Sequence, residues 1–313
     1  MIAVLSGGVG AAKFLSGLVQ VVDPAEVVAV VNTGDDTIVH GLYVSPDLDT
    51  VTYTLAGRVN PETGWGIASD SFTTMAALES LGGETWFRLG DLDLATHLYR
   101  TGALAAGATL SEVTASLADA FGLAVRLLPM SDDPVRTRLV LAGEGGEIDF
   151  QEYFVHRRHD VAVTAVRFEG AGTARPAPGV LDALDSAEVL VVAPSNPVLS
   201  IGPILSVPGV AEVLRRRRED CVAVSPIVAG AALKGPADRL LSELGEEVSV
   251  VGVARRLSGI CGTLVVDVAD EALAGRVEEA GTRCVAAPAI MSSPGAAADL
   301  ARVAVGSLAG RSR

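Results

Sequence analysis

The stretch Met1–Gln20, MIAVLSGGVG AAKFLSGLVQ, decides the fold. Ile2, Ala3, Val4 and Leu5 form a short apolar run that stops at Ser6-Gly7-Gly8-Val9-Gly10, and Phe14, Leu15, Leu18 and Val19 then recur at helical spacing. Strand, glycine turn and helix in immediate succession open a nucleotide-binding α/β fold, where backbone amides and the helix N-terminus face a phosphate. The fingerprint is partial. Gly8 and Gly10 match the first two glycines of a dinucleotide loop, but Lys13 stands where the third glycine or an alanine belongs, and the Lys-Ser/Thr pair of a Walker loop is missing. A plain tight turn is the alternative to an anion-binding loop. Lys13 favours anion binding, because the chain has only one other lysine, Lys234. On this reading a Cβ at Gly10 obstructs the phosphate, whereas one at Gly7 strains the turn.

Outward from this opening, Val27–Val31 reads as a buried β-branched strand that ends in Asn32-Thr33-Gly34-Asp35-Asp36. Residues 32–50 read as a long polar loop carrying two acidic pairs, Asp35-Asp36 and Asp47-Leu48-Asp49. If the second pair is extended, its carboxylates share a face; alternatively, one of them caps a helix beginning at Thr50. Hard oxygen donors beside a phosphate loop suit Mg²⁺. Trp86–Leu89 reads as a short strand running into Gly90-Asp91, which puts Arg88 at a strand's carboxyl end, facing the crevice. Asp93 and His97, four apart on a helix, read as a surface pair.

Short alternating strands at 139–142, 148–155 and 161–168 predict an antiparallel layer inserted in or flanking the main sheet over 136–175, with Gly170–Pro178 as a linker. Apolar runs at 189–193, 222–224, 248–253, 263–267 and 283–286 then resume the α/β alternation; the first ends in Pro194-Ser195-Asn196-Pro197. The expected architecture is one α/β domain over 1–313, Rossmann-like, with a mostly parallel sheet, helices on both faces and a small antiparallel insertion. Polar turns after its strands line one crevice.

Composition narrows the function. With 49% hydrophobic and 20% charged residues the chain is that of a folded protein. A net charge of −14 argues against nonspecific binding to nucleic acid or anionic membranes. A phosphate-bearing small molecule then needs local positive groups or a metal. Three scattered cysteines, Cys221, Cys261 and Cys284, suit a reducing compartment. Met1 leads directly into the first strand, and no apolar run approaches a membrane span, so a cytoplasmic location is expected.

The segments SGGVGAAKF, VNTGDDTIVHGLYVSPDLDTVTYTLAG, LGDLDLATHLYRT, LLPMSDDPVRT, DFQEYFV, PSNPVLSIGPIL and VAVSPIVAGAALKGPA together resemble the 2-phospho-L-lactate transferase family, from Met1 to about Asp267. The resemblance implies transfer of a phospholactyl or phosphoenolpyruvyl group from a guanosine diphosphate-linked donor to the ribityl hydroxyl of 7,8-didemethyl-8-hydroxy-5-deazariboflavin. GMP leaves, and the product belongs to the making of the deazaflavin coenzyme F(420). It also implies deazaflavin contacts from Asp49 and Arg88, and a homodimer. Mg²⁺ held by Asp35 and Asp49 fits that chemistry. Loop chemistry places the donor phosphates at Gly7, Gly8, Gly10 and Lys13, with Ser195 and Asn196 nearby. One departure stands out: the family usually has GDRD where this chain has Gly90-Asp91-Leu92-Asp93. A nucleotide-sugar-binding regulator of the gluconeogenesis-factor type shares the opening loop and the Asn-Thr region, but the LGDLDLATH and DFQEYFV segments favour the transferase. An NAD-dependent oxidoreductase calls for an acidic residue where this chain has Asn32.

Overall fold

The computed structural model describes residues 1–143 and 146–308. β1 (Ile2–Ser6) turns at Gly7 into α1 (Gly8–Leu18), and β2 (Val27–Val31) follows. A tight hairpin, β3 (Thr37–Val39) and β4 (Leu42–Val44), leads to α2 (Pro46–Leu55), α3 (Thr73–Ser80), α4 (Asp91–Ala105) and α5 (Leu110–Ala120). Next come β5 (Arg126–Pro129), the strands β6 (Arg136–Leu141), β7 (Glu147–Asp149) and β8 (Val163–Glu169), α6 (Val180–Ser186) and β9 (Val189–Val192). The chain continues through α7 (Ile201–Ser206), α8 (Val210–Arg216), β10 (Cys221–Val224), a small hairpin β11 (Ile227–Val228) and β12 (Ala231–Ala232), and α9 (Ala237–Glu243). It closes with α10 (Val250–Leu257), β13 (Thr263–Val266), α11 (Ala274–Glu279), β14 (Arg283–Ala286) and α12 (Pro294–Gly306).

Seven strands form one parallel sheet in the order β14-β13-β10-β9-β1-β2-β5. β1 and β2 are buried throughout, as strands covered on both faces must be. Ile2 and Val4 of β1 pack with Phe14, Leu15 and Leu18 of α1 and Leu300 of α12, while Ala3 and Leu5 pack on the opposite face with Leu184, Ile204 and Leu214. From β1 the order runs to β2 and β5 on one side and to β9, β10, β13 and β14 on the other. The direction of winding therefore reverses between β1 and β9. A ligand crevice is expected outside the carboxyl ends of those two strands, at the Gly7 and Pro194 turns.

β7, β6 and β8 form the expected antiparallel layer. Elsewhere the structure corrects the sequence reading. Of 148–155 only the start is strand, because β7 ends at Asp149 and a π-helical turn covers Glu152–His156. The linker expected at 170–178 instead buries Ala171, Ala174 and Ala177 in the core. The strand expected at 248–253 is the start of α10, with the Ser249 hydroxyl accepting from the amides of Val251 and Gly252. Residues 86–89 form no strand. The loop expected over 32–50 holds the β3–β4 hairpin and the first turn of α2. Among the described residues no helix is long and apolar enough to cross a membrane.

Candidate active site

The two turns at the switch point touch. Gly8 has φ +70, a left-handed conformation that suits glycine, and opens α1. A Cβ on Gly10 would lie 2.0 Å from the carbonyl oxygen of Pro194, and one on Gly7 would lie 2.6 Å from Cβ of Ser200. Both glycines thus admit close packing of the β9 turn against the entrance of α1; at Gly10 the nearby group is backbone rather than a ligand. Ser195, next to Pro194, has a buried hydroxyl without a partner among the described residues. The Asn196 side-chain oxygen accepts from the amides of Val198 and Leu199 and shapes the turn. Lys13, one turn along α1 from Val9, is exposed. Gly7, Gly8, Gly10, Ser195 and Asn196 are accordingly grouped at the crevice.

Three buried carboxylates, Asp35, Asp36 and Asp47, line its other side. Asp47 and Asp49 occupy the first turn of α2, so they are helical and diverge instead of sharing the face an extended segment would give them. Neither caps a helix starting at Thr50, since α2 already begins at Pro46. Asp47 accepts from Asn32 Nδ2 at 2.9 Å and from the Gly8 amide, which ties α2 to the glycine turn. Burial pushes its pKa up to about 6, against the pull of those two donors. Burial, with Asp47 adding repulsion, also raises Asp35 well above the usual carboxylate range. Asp36 is raised by burial too, against the pull of Ser45, Arg100 and Tyr43; its Oδ2 accepts from Ser45 at 2.8 Å, and its Oδ1 is buried with no hydrogen-bond partner among the described residues. The antiparallel layer reaches this strip: Gln151 Nε2 donates to the Asp35 carbonyl at 3.0 Å, and Thr137 stands 3.5 Å from its carboxylate. A small polar cleft follows, lined by Asp35, Asp36, Arg136, Thr137, Asp149 and Gln151.

Asp49 faces the opposite way, into a buried charge network. Arg100, on α4, grips both its oxygens, with Nη1 donating to Oδ2 at 3.1 Å and Nη2 to Oδ1. His97 Nδ1 lies 3.3 Å from Arg100 Nη1, and its Nε2 lies 3.3 Å from Asp93 Oδ1 but out of line for a hydrogen bond. Tyr53 donates to Asp93 at 2.7 Å. Asp93 and His97 are therefore no surface pair: His97 is 1% exposed. Asp49, Asp93 and His97 bring one ligand atom each within 4.8 Å, a group able to hold a metal ion. The sequence reading missed Arg100, although Asp93, His97 and Arg100 stand at i, i+4 and i+7, one face of a helix.

Arg88 is placed differently from Asp49. It is exposed on an irregular segment before α4, with its guanidinium 4.4 Å from the centre of the Phe72 ring. The two side chains wall an open groove with Met75, Ala76, Glu79 and Thr85.

A family model described as 2-phospho-L-lactate transferase CofD matches residues 2–294. The chain belongs to this family. It is 46% identical over 308 residues, 97% of each chain, to a phosphoenolpyruvate transferase of Streptomyces griseus. A phosphoenolpyruvate transferase of Thermobifida fusca is 44% identical over 317 residues, covering 97% of this chain and 96% of the relative. A 2-phospho-L-lactate transferase of Methanosarcina mazei is 38% identical over 302 residues, covering 96% and 98%. A solved UPF0052-family protein of Bacillus halodurans shares the fold, with a TM-score of 0.61 at 15% identity over 96% of this chain and 97% of that one. The seven-stranded parallel sheet with its small antiparallel layer is thus the architecture of a CofD-type transferase of phospholactate or phosphoenolpyruvate.

Proposed function

We propose that this CofD-family chain transfers a phosphoenolpyruvyl group from a guanosine diphosphate-linked donor to the ribityl hydroxyl of 7,8-didemethyl-8-hydroxy-5-deazariboflavin, releasing GMP in the making of coenzyme F(420). The observation that carries this reading is the crevice between β1 and β9, with a glycine turn and helix entrance on one side and a buried acidic strip on the other. Phosphoenolpyruvate is preferred over phospholactate because relatives at 44% and 46% identity carry that name, whereas a relative named for phospholactate stands at 38%.

In the reaction the ribityl oxygen bonds the phosphorus distal to guanosine, the bond from that phosphorus to the GMP oxygen breaks, and the hydroxyl proton is released. Such transfers depend on positioning and on neutralising phosphate charge. The diphosphate lies against Gly7, Gly8, Gly10 and Lys13, near the unpaired Ser195 hydroxyl and Asn196. Arg88 and Phe72 offer a flat cationic platform for the deazaflavin, and Asp49 orients its ribityl chain. The acidic strip fits Mg²⁺: its donors are oxygens, and Asp36 Oδ1 is buried and orphaned. Asp35 would hold the ion from within the strip and Asp49 from the charge network on the far side of Asp36, whose carboxylate interacts with both; Arg100 takes two of the roughly four lone-pair sites on Asp49 and leaves the others. Bound there, Mg²⁺ would supply charge screening for the phosphoryl oxygens.

Mass spectrometry of the product made from each donor, with the deazaflavin and Mg²⁺, tests the reading. A dehydro product formed faster than its lactyl counterpart is expected. Binding of nucleotide-sugar with no affinity for the deazaflavin would overturn it in favour of a regulator.

A further inference from the structure

The two lysines of this acidic chain, 221 residues apart in sequence, both lie along the first half of α1: Lys13 is on the helix, and Lys234 reaches it through Gly64. Lys234 follows the β11–β12 hairpin, and its Nζ donates to the Thr63 carbonyl at 2.9 Å. The next residue, Gly64, rests on α1: a Cβ there would lie 2.7 Å from Val9 Cγ1 and 3.3 Å from Lys234 Nζ. Val9 and Lys13 are four residues apart on α1, so they share a face. Burial and the nearness of Lys13 depress the Lys234 pKa. Neither ammonium has a carboxylate partner among the described residues, even though acidic residues outnumber basic ones by 38 to 24. Two unbalanced cations side by side repel each other, and an anion placed between them removes that repulsion. The Thr63 contact uses one of the three Lys234 donors and leaves two. At the α1 entrance itself, the Pro194 carbonyl presses on Gly10, and the buried hydroxyl of the next residue, Ser195, has no partner among the described residues.

We propose that Lys234 and Lys13 form a two-ammonium clamp over the entrance of α1 that grips the diphosphate of the nucleotide-linked donor, with Lys234 brought in by the β11–β12 hairpin. The clamp rests on the donor-site reading above and adds to it a residue from the other half of the chain. Calorimetric titration of GDP and GMP into the full chain, unmodified and as Lys234→Ala, Lys13→Ala and Lys234→Arg, tests it. Lys234→Ala is expected to weaken GDP by about tenfold or more, the scale of a lost hydrogen bond between charged groups, and GMP much less. Lys234→Arg is expected to retain most of the GDP affinity. The melting temperature of Lys234→Ala should fall only slightly, since the exposed side chain gives up a single surface hydrogen bond, to the Thr63 carbonyl. Normal GDP binding by Lys234→Ala overturns the clamp, and equal losses for GDP and GMP overturn its assignment to the diphosphate. No GDP binding by the unmodified chain overturns the donor-site reading itself.

Discussion

Arg100 is 1% exposed, and both oxygens of the buried Asp49 accept from its guanidinium. Removing one member of a buried ion pair strands the other charge away from water and typically costs about 3–5 kcal/mol. Arg100→Met is therefore expected to be strongly destabilising. Asp49→Asn should be destabilising as well as inactivating, so lost turnover in that variant alone does not identify a catalytic carboxylate. The double variant should be more stable than either single one yet remain inactive. Chemical denaturation and turnover measured on all three decide this; a double variant no more stable than Asp49→Asn would show that the pairing is not what holds the pair in place. The helical spacing of Asp93, His97 and Arg100 was legible in the sequence. The partner of Arg100 was not, because Asp49 lies 51 residues away and reaches it only through the docking of α2 beside α4.

The first residue of α4 caps α3, and the segment leading into α3 caps α4. The Asp91 carboxylate accepts from the amides of Thr73 and Thr74 at the start of α3, at 2.9 and 3.0 Å. Asp70 accepts from the amides of Leu92 and Asp93 at the start of α4, at 2.8 and 3.1 Å. Ser71 and the amides of Thr73 and Thr74 hold the Asp91 pKa far below the usual carboxylate range. This exchange fixes the angle between the helices flanking Phe72 and Arg88. Asp70→Ala should cost about 1 kcal/mol, as lost caps do, and should weaken the deazaflavin more than GDP, which titration of both ligands would show; equal weakening would detach the helix pair from the acceptor. Asp91 stands just after Gly90 at the start of α4, a natural capping position, but it caps α3 rather than its own helix. α10 was misread for a local reason: Val248, Val250, Val251 and Val253 are β-branched and favour strand. Yet the buried set Val250, Val251, Val253, Ala254 and Leu257 has helical spacing, and tertiary burial decides. β1, α1 and β2 were legible because pattern and propensity agree there.

For the molecule as a whole, the acidic strip sets the response to pH. Asp47 titrates near 6 in the folded protein because of burial, above its unfolded value, and Asp35 and Asp36 move in the same direction. A raised carboxyl contributes stability that is complete below the unfolded pKa and lost as pH rises through the folded one, on the order of 3 kcal/mol for Asp47. The metal-free protein is therefore expected to melt higher near pH 5 than at pH 7.5. At lower pH, surface carboxylates held low by hydrogen-bonding partners, among them Asp133, Glu147 and Glu247, reverse the gain. Mg²⁺ should raise the melting temperature more at pH 7.5 than at pH 5, because it competes with protons for the same oxygens. Calorimetric scans across this range check both signs; a melting temperature that falls between pH 7.5 and 5.5 would contradict them.

The place of β1 between β2 and β9 has a consequence for how the molecule is made. Leu5 meets Val30 on one side and Val192 on the other, partners 25 and 187 residues away. The first contact closes a short loop; the second waits for more than half of the chain and carries a larger entropy of closure. During synthesis the glycine turn thus emerges first, with one wall of its crevice still untranslated. The donor pocket is a late product of folding, and a chain halted before Pro194 would hold the opening loop without anything to close it.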